Sequence, residues 1–257
     1  MKSKISNAFK NKKNLIPYIT VGDPSVKKTE ELVLEFEKAG ADIIELGIPF
    51  SDPIADGPVI QASHLRALKN NTSLTDAFKL IRKLRKKTQI PLIFMLSINL
   101  VEKYGSNKFY HDCEHFGVDG VIVPDNTREQ CPMSNAQCPI NVDQILLISP
   151  TTSKERIKKI VKKSAGFIYL ISTLGITGTR KNLTQDFANY VKRVRKQTKK
   201  PIAVGFGIST PEQAKEAVKY ADGVIVGSAI VDLISKKKYN EAVQFVKKMR
   251  IALNNRP

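Results

Sequence analysis

Short runs of apolar, often β-branched residues alternate along this chain with longer segments in which apolar residues recur at helical spacing. The apolar runs are continuous, which is typical of parallel strands that are covered on both faces. Eight runs are predicted to be strands: Leu15–Thr20, Asp42–Leu46, Leu92–Leu96, Gly120–Val123, Ile145–Ser149, Phe167–Ile171, Ile202–Val204 and Gly223–Val226.

Helical segments lie between these runs, and several begin with a recognisable cap. Ser73 with Asp76 is predicted to form a cap-like start to a helix. Two further pairs are predicted to open helices as capping boxes: Thr152 with Glu155, and Thr210 with Gln213. Related segments at 40–44, 117–121 and 220–224 each end a helix and begin a strand, as repeated βα units do.

The alternation predicts an α/β fold. We expect residues 1–257 to form a single (β/α)8 TIM barrel, with an extra N-terminal helix and a short extra helix after strand eight. One stretch, 131–139, fits poorly, because two prolines leave at best a short or irregular fourth helix.

Composition excludes several classes of protein. The chain is 42% hydrophobic, but no apolar run approaches the roughly 20 residues that span a bilayer. No signal peptide is recognisable, so we expect a cytoplasmic protein without membrane partners. The three cysteines lack the spacing of a disulfide framework or a zinc site, and no metal is expected.

The formal net charge of +18 raises the question of nucleic-acid binding. The lysines are spread over many segments, mostly on the polar faces or ends of predicted helices, without interleaved aromatic residues. We therefore expect no nucleic-acid partner, and a basic surface that attracts an anionic small molecule.

The second predicted strand contains a single carboxylate, Glu45, within an apolar run. A buried, unpaired carboxylate is costly, so Glu45 should be paired or have a raised pKa. Because no basic residue lies within a predicted strand, an acid–base role is favoured over a salt bridge. The proline-rich loop that follows holds Asp52 and Asp56, which are candidates for a second acid or for turn residues.

Glycines follow the last three predicted strands, at 175–178, 205–207 and 227. Glycine lets backbone N–H groups approach an anion closely. In this fold, phosphate is often bound by the loops that follow strands seven and eight. The three histidines, His64, His111 and His115, lack metal-ligand spacing and are interpreted as surface or helix residues.

Taken together, the motifs resemble those of the tryptophan synthase alpha subunit family over nearly the whole chain. The matching strings are 17–24 (PYITVGDP), 45–53 (ELGIPFSDP), 55–58 (ADGP), 175–178 (GITG), 204–213 (VGFGISTPEQ) and 223–229 (GVIVGSA).

The resemblance implies retro-aldol cleavage of indole-3-glycerol phosphate to indole and glyceraldehyde 3-phosphate. It implies Glu45 and Asp56 as catalytic residues, Asp56 bonding the indole N–H. The other residues that it implies are Tyr169, Tyr18 and Thr177 for binding substrate, and Gly178, Gly207, Gly227 and Ser228 for binding phosphate.

The resemblance also implies a partner. The family works with a beta subunit that carries pyridoxal phosphate, so we expect an alpha2-beta2 heterotetramer and no cofactor in this chain. The sequence departs from the family at Thr173, where an arginine is usual, at 96–99, at 125–127, and in the fourth helix.

Other interpretations stay open at this point. The chain could be another phosphate-binding barrel, although the pairing of Glu45 with the loop at 49–58 argues against that. It could be a weakened alpha subunit that mainly activates its beta partner, or a lyase that acts without one. A basic RNA-associated protein would bind with steep salt dependence.

Overall fold

The computed structural model describes residues 3–53, 56–126, 141–172, 180–205 and 207–254, except the side chains of 180–184. Its strands are β1 Asn14–Thr20, β2 Ile44–Gly47, β3 Leu92–Met95, β4 Gly120–Ile122, β5 Asp143–Ile145, β6 Leu147–Ile148, β7 Ile168–Ile171, β8 Ile202–Gly205 and β9 Gly223–Val226.

Helices alternate with the strands. They are α1 Lys4–Ala8, α2 Val26–Lys38, α3 Pro58–Lys69, α4 Leu74–Arg85, α5 Ile98–Tyr104, α6 Ser106–Phe116, α7 Lys154–Lys163, α8 Arg180–Arg195, α9 Pro211–Ala217, α10 Ser228–Ser235 and α11 Tyr239–Asn254. No helix in these ranges is both long and apolar enough to cross a membrane.

The strands form one parallel sheet in the order β5-β4-β3-β2-β1-β9-β8-β7-β6. Its two edge strands, β5 and β6, are consecutive in the chain and separated only by Leu146. The sheet therefore closes on itself, because one predicted strand supplies both edges. This confirms the predicted TIM barrel, with the fifth strand divided in two.

Side chains on alternate strand positions form two apolar layers. One layer fills the barrel and takes one or two residues from most strands, among them Ile16, Ile93, Ile122 and Ile225. The other lies between the sheet and the helices and is much larger. This double burial explains why the strands read as continuous apolar runs in the sequence.

The two predicted extra helices are present. α1 places Ile5, which is fully buried, inside the barrel layer at the amino-terminal end of the strands. There it packs so closely against Gly120 that a side chain at that position would collide with it. At the other end of the barrel, α10 begins at Ser228, immediately after β9.

The predicted caps are mostly confirmed. Capping boxes are present at Ser73 with Asp76 and at Thr210 with Gln213. The prediction for α7 was wrong by one residue, because the hydroxyl of Ser153 caps the helix. Thr152 instead accepts a hydrogen bond from the Ser149 backbone N–H at 3.0 Å, in the turn before α7.

The repeated segments share one structural device, which we call the Arg–Asp clasp. In each clasp an aspartate just before one strand accepts a hydrogen bond, at 2.8 Å, from a backbone N–H at the start of the strand that precedes it in the chain. The same aspartate forms an ion pair with an arginine. The three clasps are Asp42 with Leu15 N–H and Arg250, Asp119 with Leu92 N–H and Arg85, and Asp222 with Ile202 N–H and Arg195.

In each clasp the guanidinium also donates to main-chain carbonyls beside the same strands. Each arginine therefore ties a helix to the amino-terminal ends of two strands at once. The clasps differ in depth, since the Asp42 and Arg250 side chains are 6% and 14% exposed, whereas those of Asp222 and Arg195 are 32% and 36% exposed.

This difference generates a prediction about stability. Asp42→Ala should lower the free energy of unfolding by about 3–5 kcal/mol, the usual cost of leaving one member of a buried ion pair behind. Asp222→Ala should cost clearly less, because water partly solvates Arg195. Urea denaturation of the two variants measures both values, and equal losses would contradict the role given to burial.

Candidate active site

A cavity of about 340 Å³ opens at the carboxyl-terminal ends of the strands. Its lining combines apolar side chains with a few polar groups. The residues that line it are Tyr18, Glu45, Asp56, Ile60, Met95, Tyr169, Gly207, Ile208, Ser209, Gln213, Ile225, Gly227 and Ser228. A smaller cavity of about 80 Å³ adjoins it and shares Tyr18, Asp56 and Met95.

Seven of the nine residues predicted for the site line this one cavity. They are Tyr18, Glu45, Asp56, Tyr169, Gly207, Gly227 and Ser228. The other two, Thr177 and Gly178, lie outside the described residues, as do Thr173 and the predicted fourth-helix stretch at 131–139. The described residues contain no group of three or more His, Cys, Asp or Glu side chains that could hold a metal ion.

Glu45 lies on β2 with its carboxyl group inside the barrel. The residue is 1% exposed, and its Oε2 atom is buried without a hydrogen-bond partner among the described residues. Burial, with a smaller effect from the negative charge of Asp56, raises the pKa of Glu45 to about 8. Glu45 therefore holds a proton at neutral pH, as an acid that can give it up in the cavity.

Asp56 lies on the loop between β2 and α3, nearer to the mouth of the cavity. A main-chain hydrogen bond from its N–H to the Pro53 carbonyl, at 3.0 Å, and one from Gln61 to its own carbonyl, at 2.8 Å, hold the loop. Burial and the nearby charge of Asp125 raise the pKa of Asp56 to about 6. Because this rise is smaller than that of Glu45, Asp56 is the member of the pair that is ionised at neutral pH.

Two tyrosines stand on the barrel wall beside these carboxyl groups. Tyr18 on β1 is opposite Glu45 in the strand register, and Tyr169 lies on β7. Both are almost fully buried, and burial raises the pKa of each hydroxyl well above its usual value. They are therefore neutral and present aromatic surface together with a hydroxyl.

The tyrosine hydroxyls also explain two glycines at strand ends. A Cβ atom at Gly47 would lie 2.0 Å from the Tyr18 hydroxyl, and one at Gly205 would lie 2.2 Å from the Tyr169 hydroxyl. Each ring can occupy its position only because the residue on the adjoining strand has no side chain. These two glycines therefore shape the pocket by making room for the tyrosine rings.

The wall of the cavity at the ends of β8 and β9, between the two tyrosines, is suited to an anion. Gly207 follows β8 with a positive φ of 84°, a conformation that glycine adopts without strain. Gly227 caps α10, and Ser228 is the first residue of that helix. The first N–H groups of a helix have no intrahelical acceptor and carry partial positive charge, so this wall can bind a phosphate.

His64 is part of the site, and the sequence interpretation missed it. It lies on α3, as a helix residue was expected to, but it is buried, and it lines the smaller cavity beside Asp56. Its Nε2 atom is 3.6 Å from Asp56 Oδ2 and 3.3 Å from the Tyr18 hydroxyl. The helical spacing from Ile60 through His64 to Ala67 was a signal that could have placed it on the buried face.

The second aspartate of the loop plays a different part. Asp52 is exposed and lines only the smaller cavity, whereas Asp56 borders both. In the loops after β3 and β4, where the sequence is expected to depart from the family, Asp125 accepts hydrogen bonds from the Ser97 hydroxyl at 2.6 Å and the Ile98 N–H at 2.8 Å. The two loops thus bind one another and fix the wall of the smaller cavity.

Comparison with known proteins identifies the family. Residues 5–255 match the family described as tryptophan synthase alpha chain. A tryptophan synthase alpha chain of Petrotoga mobilis is 41% identical over 256 residues, which cover 97% of this chain and 99% of that protein. One from Dehalococcoides mccartyi is 45% identical over 254 residues and covers 98% and 100%.

Solved structures agree with the sequence comparison. The tryptophan synthase subunit alpha of Legionella pneumophila is 32% identical, covers all of both chains and superposes with a TM-score of 0.87. The subunit alpha of Campylobacter jejuni is 35% identical, covers 94% of this chain and 97% of that one, and has a TM-score of 0.85. The chain belongs to the tryptophan synthase alpha chain family.

Proposed function

We propose that Glu45 and Asp56 carry out the acid–base chemistry of this family in the described cavity. The reaction cleaves indole-3-glycerol phosphate into indole and glyceraldehyde 3-phosphate, and it makes the chain a carbon–carbon lyase of tryptophan biosynthesis. The observation that carries the proposal is the pair of carboxyl groups in one cavity, of which one is protonated and the other ionised near neutral pH.

In the proposed reaction Glu45 first acts as an acid. It gives its proton to carbon 3 of the indole ring, which leaves a cationic ring nitrogen that can accept the electrons of the bond to be broken. The Glu45 carboxylate then removes the proton from the side-chain hydroxyl beside that bond. The C–C bond breaks, its electron pair returns to the ring, the hydroxyl carbon becomes the aldehyde, and Glu45 regains its proton.

Asp56 stabilises the positive charge that develops on the indole ring during these steps. Its carboxylate accepts a hydrogen bond from the indole N–H, and this interaction strengthens as the ring becomes positive. Because the contact gains energy in the transition state, it accelerates the reaction as well as orienting the ring. Its lower pKa keeps it negative while Glu45 stays protonated.

The remaining lining is suited to the two ends of the substrate. Tyr18 and Tyr169, with the apolar side chains of Ile60 and Met95, would enclose the flat indole ring. The phosphate would lie against Gly207, Gly227 and Ser228, and Gly178 and Thr177 would complete the site from loop six by family resemblance. Binding at both ends would hold the substrate so that its scissile bond lies beside Glu45.

The proposal also covers the domain organisation, location, partner and cofactor of the chain. We infer that residues 1–257 act as one domain in the cytoplasm, paired with a beta subunit in an alpha2-beta2 heterotetramer. No cofactor is needed in this chain, because the indole ring itself accepts the electrons. Pyridoxal phosphate is expected only in the beta subunit.

Replacing Glu45 tests the proposal most directly. Glu45→Gln keeps the size of the side chain and removes its acid, so kcat for indole release should fall about 10²- to 10⁴-fold. Indole release from indole-3-glycerol phosphate, with and without a beta subunit, measures the effect. Glu155→Gln, at an exposed position on α7, is the matched control and should leave the rate unchanged.

The outcome also separates the two candidate functions. If the native chain released no indole under either condition, yet still folded and still activated the beta subunit, the catalytic role would be wrong. The chain would then be a regulatory subunit of the same complex.

The pH dependence of kcat/KM for indole release should be bell-shaped. Below about pH 6, Asp56 takes up a proton and loses the charge that stabilises the ring, so the rate falls with decreasing pH. Above about pH 8, Glu45 loses the proton that it must donate, so the rate falls with increasing pH. Because the two carboxyl groups interact, the apparent pKa values of the two limbs belong to the pair and not to either residue alone. A profile without an alkaline limb would contradict Glu45 as the acid.

A further inference from the structure

His64 is held in one tautomer by its surroundings. Its Nδ1 atom accepts a hydrogen bond from the backbone N–H of Phe50 at 3.0 Å. A nitrogen that accepts cannot carry the proton, so the neutral ring must carry it on Nε2. Burial lowers the pKa of His64 to about 4, so the imidazole stays neutral throughout the working range.

A chain of hydroxyl groups agrees with this tautomer. Ser63 donates to the Ile60 carbonyl at 2.7 Å, so its oxygen accepts from the Thr20 hydroxyl at 2.6 Å. Thr20 can then accept only from the Tyr18 hydroxyl, at 3.3 Å, and Tyr18 in turn can accept from His64 Nε2–H. Each hydroxyl hydrogen of this series thus points away from the imidazole. The N–H of the imidazole itself points toward Tyr18 and Asp56.

We propose that His64 is a positioning residue for Asp56: its Nε2–H, fixed by the Phe50 N–H behind the ring, orients the carboxylate toward the indole N–H. This inference rests on the proposed function. The Nε2–Oδ2 separation of 3.6 Å is longer than a hydrogen bond. Contacts of this kind often tighten when substrate binds, and a carboxylate is a stronger acceptor than a tyrosine hydroxyl.

The other groups around Asp56 make a neutral donor useful. Glu45 on β2 faces it inside the cavity. Asp52 lies on the same loop as Asp56, and Asp125 lies on the loop after β4. Tyr18 and Tyr169 are neutral. Among the described residues that line the two cavities, His64 is the only basic side chain. Without its N–H, the carboxylate would face mostly acidic or neutral groups and would protonate at a higher pH.

Two substitutions distinguish the role of the donor Nε2 from that of the acceptor Nδ1. In His64→Gln the side-chain amide reaches the position of Nε2, so it keeps a donor toward Asp56 and loses the acceptor for Phe50. In His64→Asn the shorter side chain keeps the acceptor for Phe50 and loses the donor. His115→Asn, at an exposed position on α6, is the matched control.

The experiment measures indole release by each variant as a function of pH, with thermal unfolding to confirm that each is folded. His64→Asn should lower kcat about 10- to 100-fold, the effect of losing a hydrogen bond to a charged group, and should move the acid limb to higher pH. His64→Gln should lose less than His64→Asn and keep the acid limb near its native position.

Double-mutant cycles identify the partner of the N–H. In an Asp56→Asn background the His64→Asn substitution should have little further effect, whereas in a Tyr18→Phe background its full effect should remain. If His64→Asn does not fold, the same cycles are carried out with His64→Ala, which also removes the donor, at a temperature at which that variant is folded.

The results distinguish this inference from the proposed function. No indole release by the native chain would overturn the function itself. Native release together with an unshifted acid limb in His64→Asn would overturn only the role of His64. A larger loss in His64→Gln than in His64→Asn would show that His64 acts by anchoring the loop at Phe50.

Discussion

The site depends on one constraint, which is that the carboxyl group of Glu45 lies inside a closed barrel where water does not solvate it. An isolated carboxylate is unstable in such surroundings, so the group keeps its proton, and its pKa rises to about 8. No positive charge among the described residues lining the cavity offsets this effect. A residue that would weaken an ordinary core thus becomes an acid that operates near neutral pH.

The second carboxyl group shows how depth of burial gives two similar side chains different protonation states. Asp56 lies on a loop at the mouth of the cavity, so it is less buried and its pKa rises only to about 6. The difference leaves one carboxyl protonated and the other charged. His64, with a single available donor, faces the charged one.

The scaffold keeps stability and chemistry at opposite ends of the strands. The Arg–Asp clasps and the buried Ile5 join helices and strands at the amino-terminal ends. The cavity occupies the carboxyl-terminal ends, where each strand runs into a loop. The loops after β3 and β4, which carry Ser97 and Asp125, can therefore change without disturbing the contacts that fix the register of the strands.

The sequence by itself determined the barrel, because apolar runs and capping residues report local structure, and it indicated Glu45, because a charged residue is conspicuous in an apolar run. It could not locate the interruption at Leu146, which depends on how the two edges of the sheet meet. Nor could it assign a role to His64, since helical spacing can place a histidine on the buried face of a helix but cannot show that it faces a carboxylate. Only the tertiary structure decided the proton on Nε2 and the unequal acidities of Glu45 and Asp56, because both depend on neighbours that are distant in the chain.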